Sequence, residues 1–181
     1  RGNLFIFHEA VLARVNQGQP LSNKEFFQIA DAYFGGTRAE GAYTPKDAYD
    51  LMELIVNRHI VDMSSPDGRV FNPRANDTRI AKEQVRALAT LEGQLPTQTN
   101  RTAEQVEFQQ FSTPPHYAYA IAWLANIDGN DVVLEPSAGT GNLVAPARNA
   151  APKALYANEL SQRRADLLQW VGIADEVTRE N

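Results

Sequence analysis

Cysteine is absent from the 181 residues, so disulfide bonds and thiolate metal sites are excluded by composition alone. Histidine is scarce, and His8, His59 and His116 are too scattered to suggest a ligand cluster, so no metal is expected. No stretch approaches the roughly 20 consecutive apolar residues that a membrane-spanning helix needs. The opening Arg1-Gly2-Asn3-Leu4 lacks the basic-then-apolar plan of a secretory signal. A globular chain with no membrane association and a cytoplasmic location is the expectation. A dominant positive charge is missing too: the formal net charge is -5, and both sides of residue 110 are mildly acidic. A self-sufficient DNA-binding domain usually shows a basic face, because neutralising phosphates and releasing counterions supplies much of its affinity. The densest positive patch, Arg69, Arg74, Arg79, Lys82 and Arg86, is interrupted by Asp77 and Glu83 and reads as a solvated surface.

What is present is 43% hydrophobic residues, enough for one sizeable core or for a small domain plus part of another. The first hundred or so residues read as helices joined by polar loops. Leu4, Phe7, Val11, Leu12 and Val15 recur at helical spacing until Gly18-Gln19-Pro20. Ser22 followed by Glu25 fits a capping box ahead of Phe26, Phe27, Ile29 and Ala30, and Gly35-Gly36 stops that helix. Thr44-Pro45 opens a third helix carrying Tyr49, Met52, Ile55, Val56 and His59 towards a core, His59 being read as a core histidine. Ser64 to Asn76 is a connection rich in Pro, Gly and Ser, after which Asp77 or Thr78 starts a fourth helix through Ile80, Val85, Leu88 and Leu91. Thr102 with Gln105 begins a short fifth helix ending near Gln110. No internal repeat and no catalytic spacing stands out in this region.

From Phe111 onward the pattern changes. Tyr117 to Asn126 reads as an apolar helix, Asp131 to Glu135 as a short buried strand, Pro136 to Asn142 as a glycine loop and Leu143 to Asn149 as a helix. Pro146 falls in or near that helix's first turn, where a missing N–H costs little. Ala154 to Asn158 reads as a second strand, and Ser161 to Trp170 as a helix with Ala165, Leu168 and Trp170 among its apolar positions. The order is βαβα with a lead-in helix, which predicts an α/β architecture in two domains, residues 1–108 all-helical and 109–181 a truncated parallel sheet. The chain does not begin with methionine, and Glu176 to Asn181 reads as the opening of a strand, as expected of a piece of a longer protein.

The segment Val132-Val133-Leu134-Glu135-Pro136-Ser137-Ala138-Gly139-Thr140-Gly141-Asn142 puts an acid at a strand end, then two glycines, then a helix. Lacking Cβ atoms, Gly139 and Gly141 let the backbone turn tightly and approach a ligand, and N–H groups at the helix start can receive a carboxylate or phosphate. Glu135 could accept from a ligand ammonium. Glu159, eighteen residues beyond Gly141, lies at the end of the second strand, where a carboxylate can take both ribose hydroxyls of an adenosine. The dinucleotide fingerprint G-x-G-x-x-G would need a third glycine where Val144 stands, and the Gly-Lys-Ser/Thr of a P-loop is absent. The bland alternative is that the glycines make a tight strand-to-helix turn and that Glu159 is a surface acid.

Glu135-Pro136-Ser137-Ala138-Gly139-Thr140-Gly141 resembles motif I of the DNA amino-methyltransferases, Asp/Glu-Pro-x-x-Gly-x-Gly, and Phe111-Ser112-Thr113-Pro114-Pro115 resembles their motif X, one helix upstream. Taken alone, Thr-Pro-Pro is a simple helix start with Thr113 as cap. The resemblance implies the first part of a class I, Rossmann-like methyltransferase fold that binds S-adenosylmethionine. Motif X (Phe111, Ser112, Thr113, Pro114) and motif I (Glu135 to Asn142) would enclose the methionine end, and Asn158, Glu159 and Leu160 the ribose. More narrowly, Leu95-Pro96-Thr97-Gln98-Thr99-Asn100-Arg101, the Phe111 motif, Leu134 to Gly141, Ala157-Asn158-Glu159-Leu160 and the stretch from Tyr33-Phe34-Gly35 to Glu40-Gly41-Ala42-Tyr43 resemble the amino-terminal region of phage and plasmid methylase-helicase fusions, in which a methyltransferase is joined to a strawberry-notch-like helicase, some of them linked through restriction-modification to protection of mobile DNA from restriction. That implies adenine-N6 methylation of DNA by the longer protein. The family's catalytic motif, Asn/Asp-Pro-Pro-aromatic, is not found. Asn72-Pro73 resembles its start, but Arg74 replaces the second proline and Ala75 the aromatic, so it is a decoy. No catalytic residue is therefore assigned, and donor binding without turnover is expected. Two other readings stay open: an RNA or protein-glutamine methyltransferase with a similar loop, or a non-catalytic module contacting DNA or a partner protein. An unfinished parallel sheet would also leave an open edge inviting weak self-association.

Overall fold

A computed structural model of the chain describes residues 4–63, 71–97 and 112–181. It comprises helices α1 (Leu4–Asn16), α2 (Asn23–Phe34), α3 (Pro45–Asp62), α4 (Thr78–Gly93) and α5 (Pro115–Ala125), then β1 (Val132–Glu135), α6 (Val144–Asn149), β2 (Ala154–Asn158), α7 (Gln162–Val171) and β3 (Glu176–Thr178). The strands form a parallel sheet in the order β1-β2-β3. Helices with a small parallel sheet place the chain in the α/β class. The helix expected over Thr102 to Gln110, the run Gln98 to Arg101, Arg69 of the basic patch and Phe111 lie outside the described residues. No helix among the described residues is long and apolar enough to cross a membrane.

Two compact units are distinguished, Arg1–Met52 with Thr90–Gln110, and Glu53–Ala89 with Phe111–Asn181. The first has an aromatic core. Phe7, Val11, Leu12 and Val15 of α1 are buried together with Phe26 and Ala30 of α2, and Phe26 lies against Phe7 and Tyr49 with ring centroids 6.4 and 5.1 Å away. Helix α2 starts where its residues demand. Ser22 accepts from the Glu25 N–H while Glu25 accepts from the Ser22 N–H, a complete capping box, and Gly35 ends the helix at φ 73°. Thr44 and Asp47 make the same reciprocal pair at the start of α3, Thr44 N–H to Asp47 Oδ2 at 2.9 Å and Asp47 N–H to Thr44 Oγ1 at 3.3 Å.

In the second unit, Leu54, Ile55, Val56 and Ile60 of α3 are buried, as are Leu88 of α4 and Ala118, Tyr119 and Ala122 of α5. Tyr119 donates to the Asn72 carbonyl at 3.1 Å and the Trp123 indole to the Ala75 carbonyl at 2.9 Å, tying down the loop before α4. One sheet face is covered: Leu155 and Ala157 are fully buried with Val144 and Leu168. The opposite face, among the described residues, is exposed at Val132, Leu134 and Tyr156. β1 is expected to be buried, yet Val132 and Leu134 are 60% and 61% exposed, because among the described residues β1 is an edge strand whose alternate side chains point away from the covered face. Three other apolar expectations are corrected in the same way. Trp170 and Ile80 are exposed, since Leu168 and Ala81 hold the buried positions of their helices, and His59 is half-buried rather than in the core.

Candidate functional site

The loop between β1 and α6 closes on itself before it meets anything else. Glu135 Oε1 accepts the Ser137 N–H at 3.0 Å, an acid folding back over the turn that follows it. The Gly141 N–H donates to the Ala138 carbonyl at 2.8 Å, a tight turn made with Gly139 at φ 57° and Gly141 at φ 95°. Both conformations suit glycine, but the surroundings differ. A Cβ on Gly141 would stand 2.8 Å from Ile173 Cδ1 and 3.0 Å from Leu168 Cδ1, so a side chain there collides with the core. A Cβ on Gly139 would meet only Arg164 Nη1, at 3.6 Å. Gly141 is therefore glycine because of both the turn and the packing behind it, and Gly139 because of the turn alone.

The second strand supplies the next layer. The Ala138 N–H donates to the Asn158 carbonyl at 2.8 Å, and the Gly139 N–H to Glu159 Oε2 at 2.8 Å. Glu159 Oε1 accepts the Ser161 N–H at 2.7 Å at the start of α7. Its carboxylate is 7% exposed, so it is no surface acid. The Asn158 amide donates to the Pro136 and Glu180 carbonyls and accepts from the Thr178 hydroxyl, joining loop, β2 and the end of β3. Leu160 is exposed, and its carbonyl accepts from Arg179 at 2.9 Å.

The third layer comes from α3. The Thr140 hydroxyl donates to Glu53 Oε2 at 2.6 Å, and the Ser112 hydroxyl donates to the same oxygen at 2.7 Å. The Asn57 amide donates to the Thr140 carbonyl at 2.9 Å and to Asn142 Oδ1 at 2.6 Å. Asn142 Nδ2 in turn donates to the Thr113 carbonyl at 2.7 Å. Thr113 is thus no helix cap; Pro114 occupies that position with no side-chain capping bond.

Of the residues singled out in the sequence, Thr113 meets Asn142 directly, Ser112 and Thr140 share the Glu53 carboxylate, Ala138 meets Asn158, and Gly139 meets Glu159. The Glu135 carboxylate holds the Ser137 N–H within the turn, and Pro136 and Leu160 are exposed. Three residues escaped the sequence reading: Glu53, Asn57 and Arg164. Asn57 follows Leu54-Ile55-Val56 and is 1% exposed, and a polar side chain at the end of such an apolar run is the signal that could have revealed it. Arg164, 4% exposed, stands four residues before Leu168, on the buried face of α7. Among the described residues no group of three or more His, Asp or Glu could hold a metal ion. Compared with known proteins, the chain matches no family model, no curated protein and no solved structure.

Proposed function

We propose that this chain carries the S-adenosylmethionine-binding portion of a DNA adenine-N6 methyltransferase of the class I, Rossmann-like type, working in the cytoplasm within a longer protein. The observation that carries the reading is the direct hydrogen-bonded contact between the motif X-like and motif I-like segments, Asn142 to Thr113, with a buried acid from the end of β2 seated against Gly139. Segments 29 residues apart in sequence that bracket one glycine turn are what a pocket for a single elongated ligand requires.

The donor set fits such a ligand. Glu159 spends one lone pair of each oxygen on a backbone N–H and keeps a second on each, enough for two ribose hydroxyls. Glu135 faces the turn with one oxygen engaged and offers a carboxylate to a ligand ammonium. S-adenosylmethionine would supply an electrophilic methyl group on sulfur. The contribution of this chain is orientation, held by a turn whose geometry is fixed before any ligand arrives. A thermal-shift panel tests the reading. S-adenosylmethionine and S-adenosylhomocysteine at about 100 times their dissociation constant would stabilise the chain by roughly 2.7 kcal/mol, a rise of several degrees. NAD and ATP would give none, and a shift with NAD but not with S-adenosylmethionine contradicts the proposal.

A further inference from the structure

Ser112-Thr113 and Thr140-Asn142 form a closed ring with α3. Glu53 Oε2 takes the Ser112 hydroxyl at 2.7 Å and the Thr140 hydroxyl at 2.6 Å, and the Asn142 amide reaches the Thr113 carbonyl at 2.7 Å. One carboxylate oxygen has two in-plane acceptor positions, and two hydroxyl donors fill them. Asn57 braces the ring from inside, spending both amide hydrogens on the Thr140 carbonyl and Asn142 Oδ1. At 1% exposure it has no water to turn to instead. Hydroxyl bonds to an ionised oxygen are short and strong, so the ring fixes a distance rather than merely filling space.

We propose that Glu53 is a positioning residue that sets the spacing between the Ser112-Thr113 segment and the glycine loop, with Asn57 as its brace. The stretch of α3 that carries Glu53 and Asn57 is then part of the framework of the donor site. The inference rests on the methyl-donor reading for its ligand, but the ring itself does not. Glu53 acts through Ser112 and Thr140 and need not touch the donor.

The test uses the whole 181-residue chain, S-adenosylmethionine as probe, and hydrogen exchange of the loop amides as a second measurement. Glu53→Ala weakens donor binding about tenfold or more, the effect of losing bonds to a charged acceptor. Glu53→Gln, whose amide oxygen accepts the same two hydroxyls, returns to within about threefold of the parent. Ser112→Ala, at an exposed position, weakens binding roughly threefold with an unchanged melting temperature, which decides the matter if Glu53→Ala unfolds. In Glu53→Ala the amides of Thr140 to Asn142 exchange about tenfold faster while Leu155 in β2 does not change. Parent-like binding in both alanine variants, or parent-like exchange in the loop, overturns the inference. Should the parent chain take up no donor, the functional reading fails and the exchange rates alone decide for or against the ring.

Discussion

Gly141 forbids a side chain for two separable reasons, a φ of 95° and a collision with Ile173 and Leu168. Left-handed backbone costs an L-residue roughly 1–2 kcal/mol and overpacking about 1–3 kcal/mol. Gly141→Ala should therefore lose about 2–5 kcal/mol in chemical denaturation, whereas Gly139→Ala, with only Arg164 nearby, should lose about 1–2 kcal/mol. Equal losses would show that the core does not press on Gly141. Both glycines were legible in the sequence as a turn, but the reason for the second was not, because a motif does not say what lies behind it. Glu159 teaches the converse. The register with the loop identified it, yet its carboxylate already holds the Gly139 and Ser161 N–H groups. Lost donor binding in Glu159→Ala would mix ligand contact with loop geometry, so only unchanged binding in that variant is decisive, and it would rule out a ribose role.

At the scale of elements, local signals were read with most success where capping chemistry is explicit. Ser22 with Glu25 and Thr44-Pro45 opened helices as expected, and the structure adds Asp47 as the partner of Thr44. Strand burial was harder to read, because alternating apolar residues in Val132 to Leu134 look alike whether a strand is central or at an edge. The junction of β2, α7 and β3 also has an electrostatic lock that no motif announced. Asp175 accepts the Leu155 N–H at 2.7 Å and pairs with Arg148 at 2.8 Å. The Leu155 bond and then Arg148 hold its carboxyl below the usual carboxylate range. A depressed folded pKa gives stability that is complete above the unfolded value near 4 and is lost as pH falls through the folded value. Thermal melts should therefore show a loss on acidification below about pH 4 that is smaller in Asp175→Asn. An identical loss in that variant would remove Asp175 as its source.

For the whole molecule, the sequence separated a helical beginning from a parallel α/β region, but not the part α3 plays in the second. Glu53 and Asn57 lie where hydrophobic periodicity dominates, and a pattern read for its apolar positions passes over two polar ones. The uncovered sheet face carries a prediction at this scale. Val132, Leu134 and Tyr156 share it, and among the described residues the outer edge of β1 pairs with no strand. Such an edge is a template for pairing. Sedimentation velocity at increasing concentration should show weak self-association that Leu134→Lys abolishes, whereas a concentration-independent coefficient would count against it. The central claim concerns the ligand, and calorimetric titration of the chain with S-adenosylmethionine tests it most directly. The account predicts saturable one-to-one binding below about 1 mM, the upper range of ordinary enzyme affinities. A folded chain that gives no saturable heat at that concentration would contradict it.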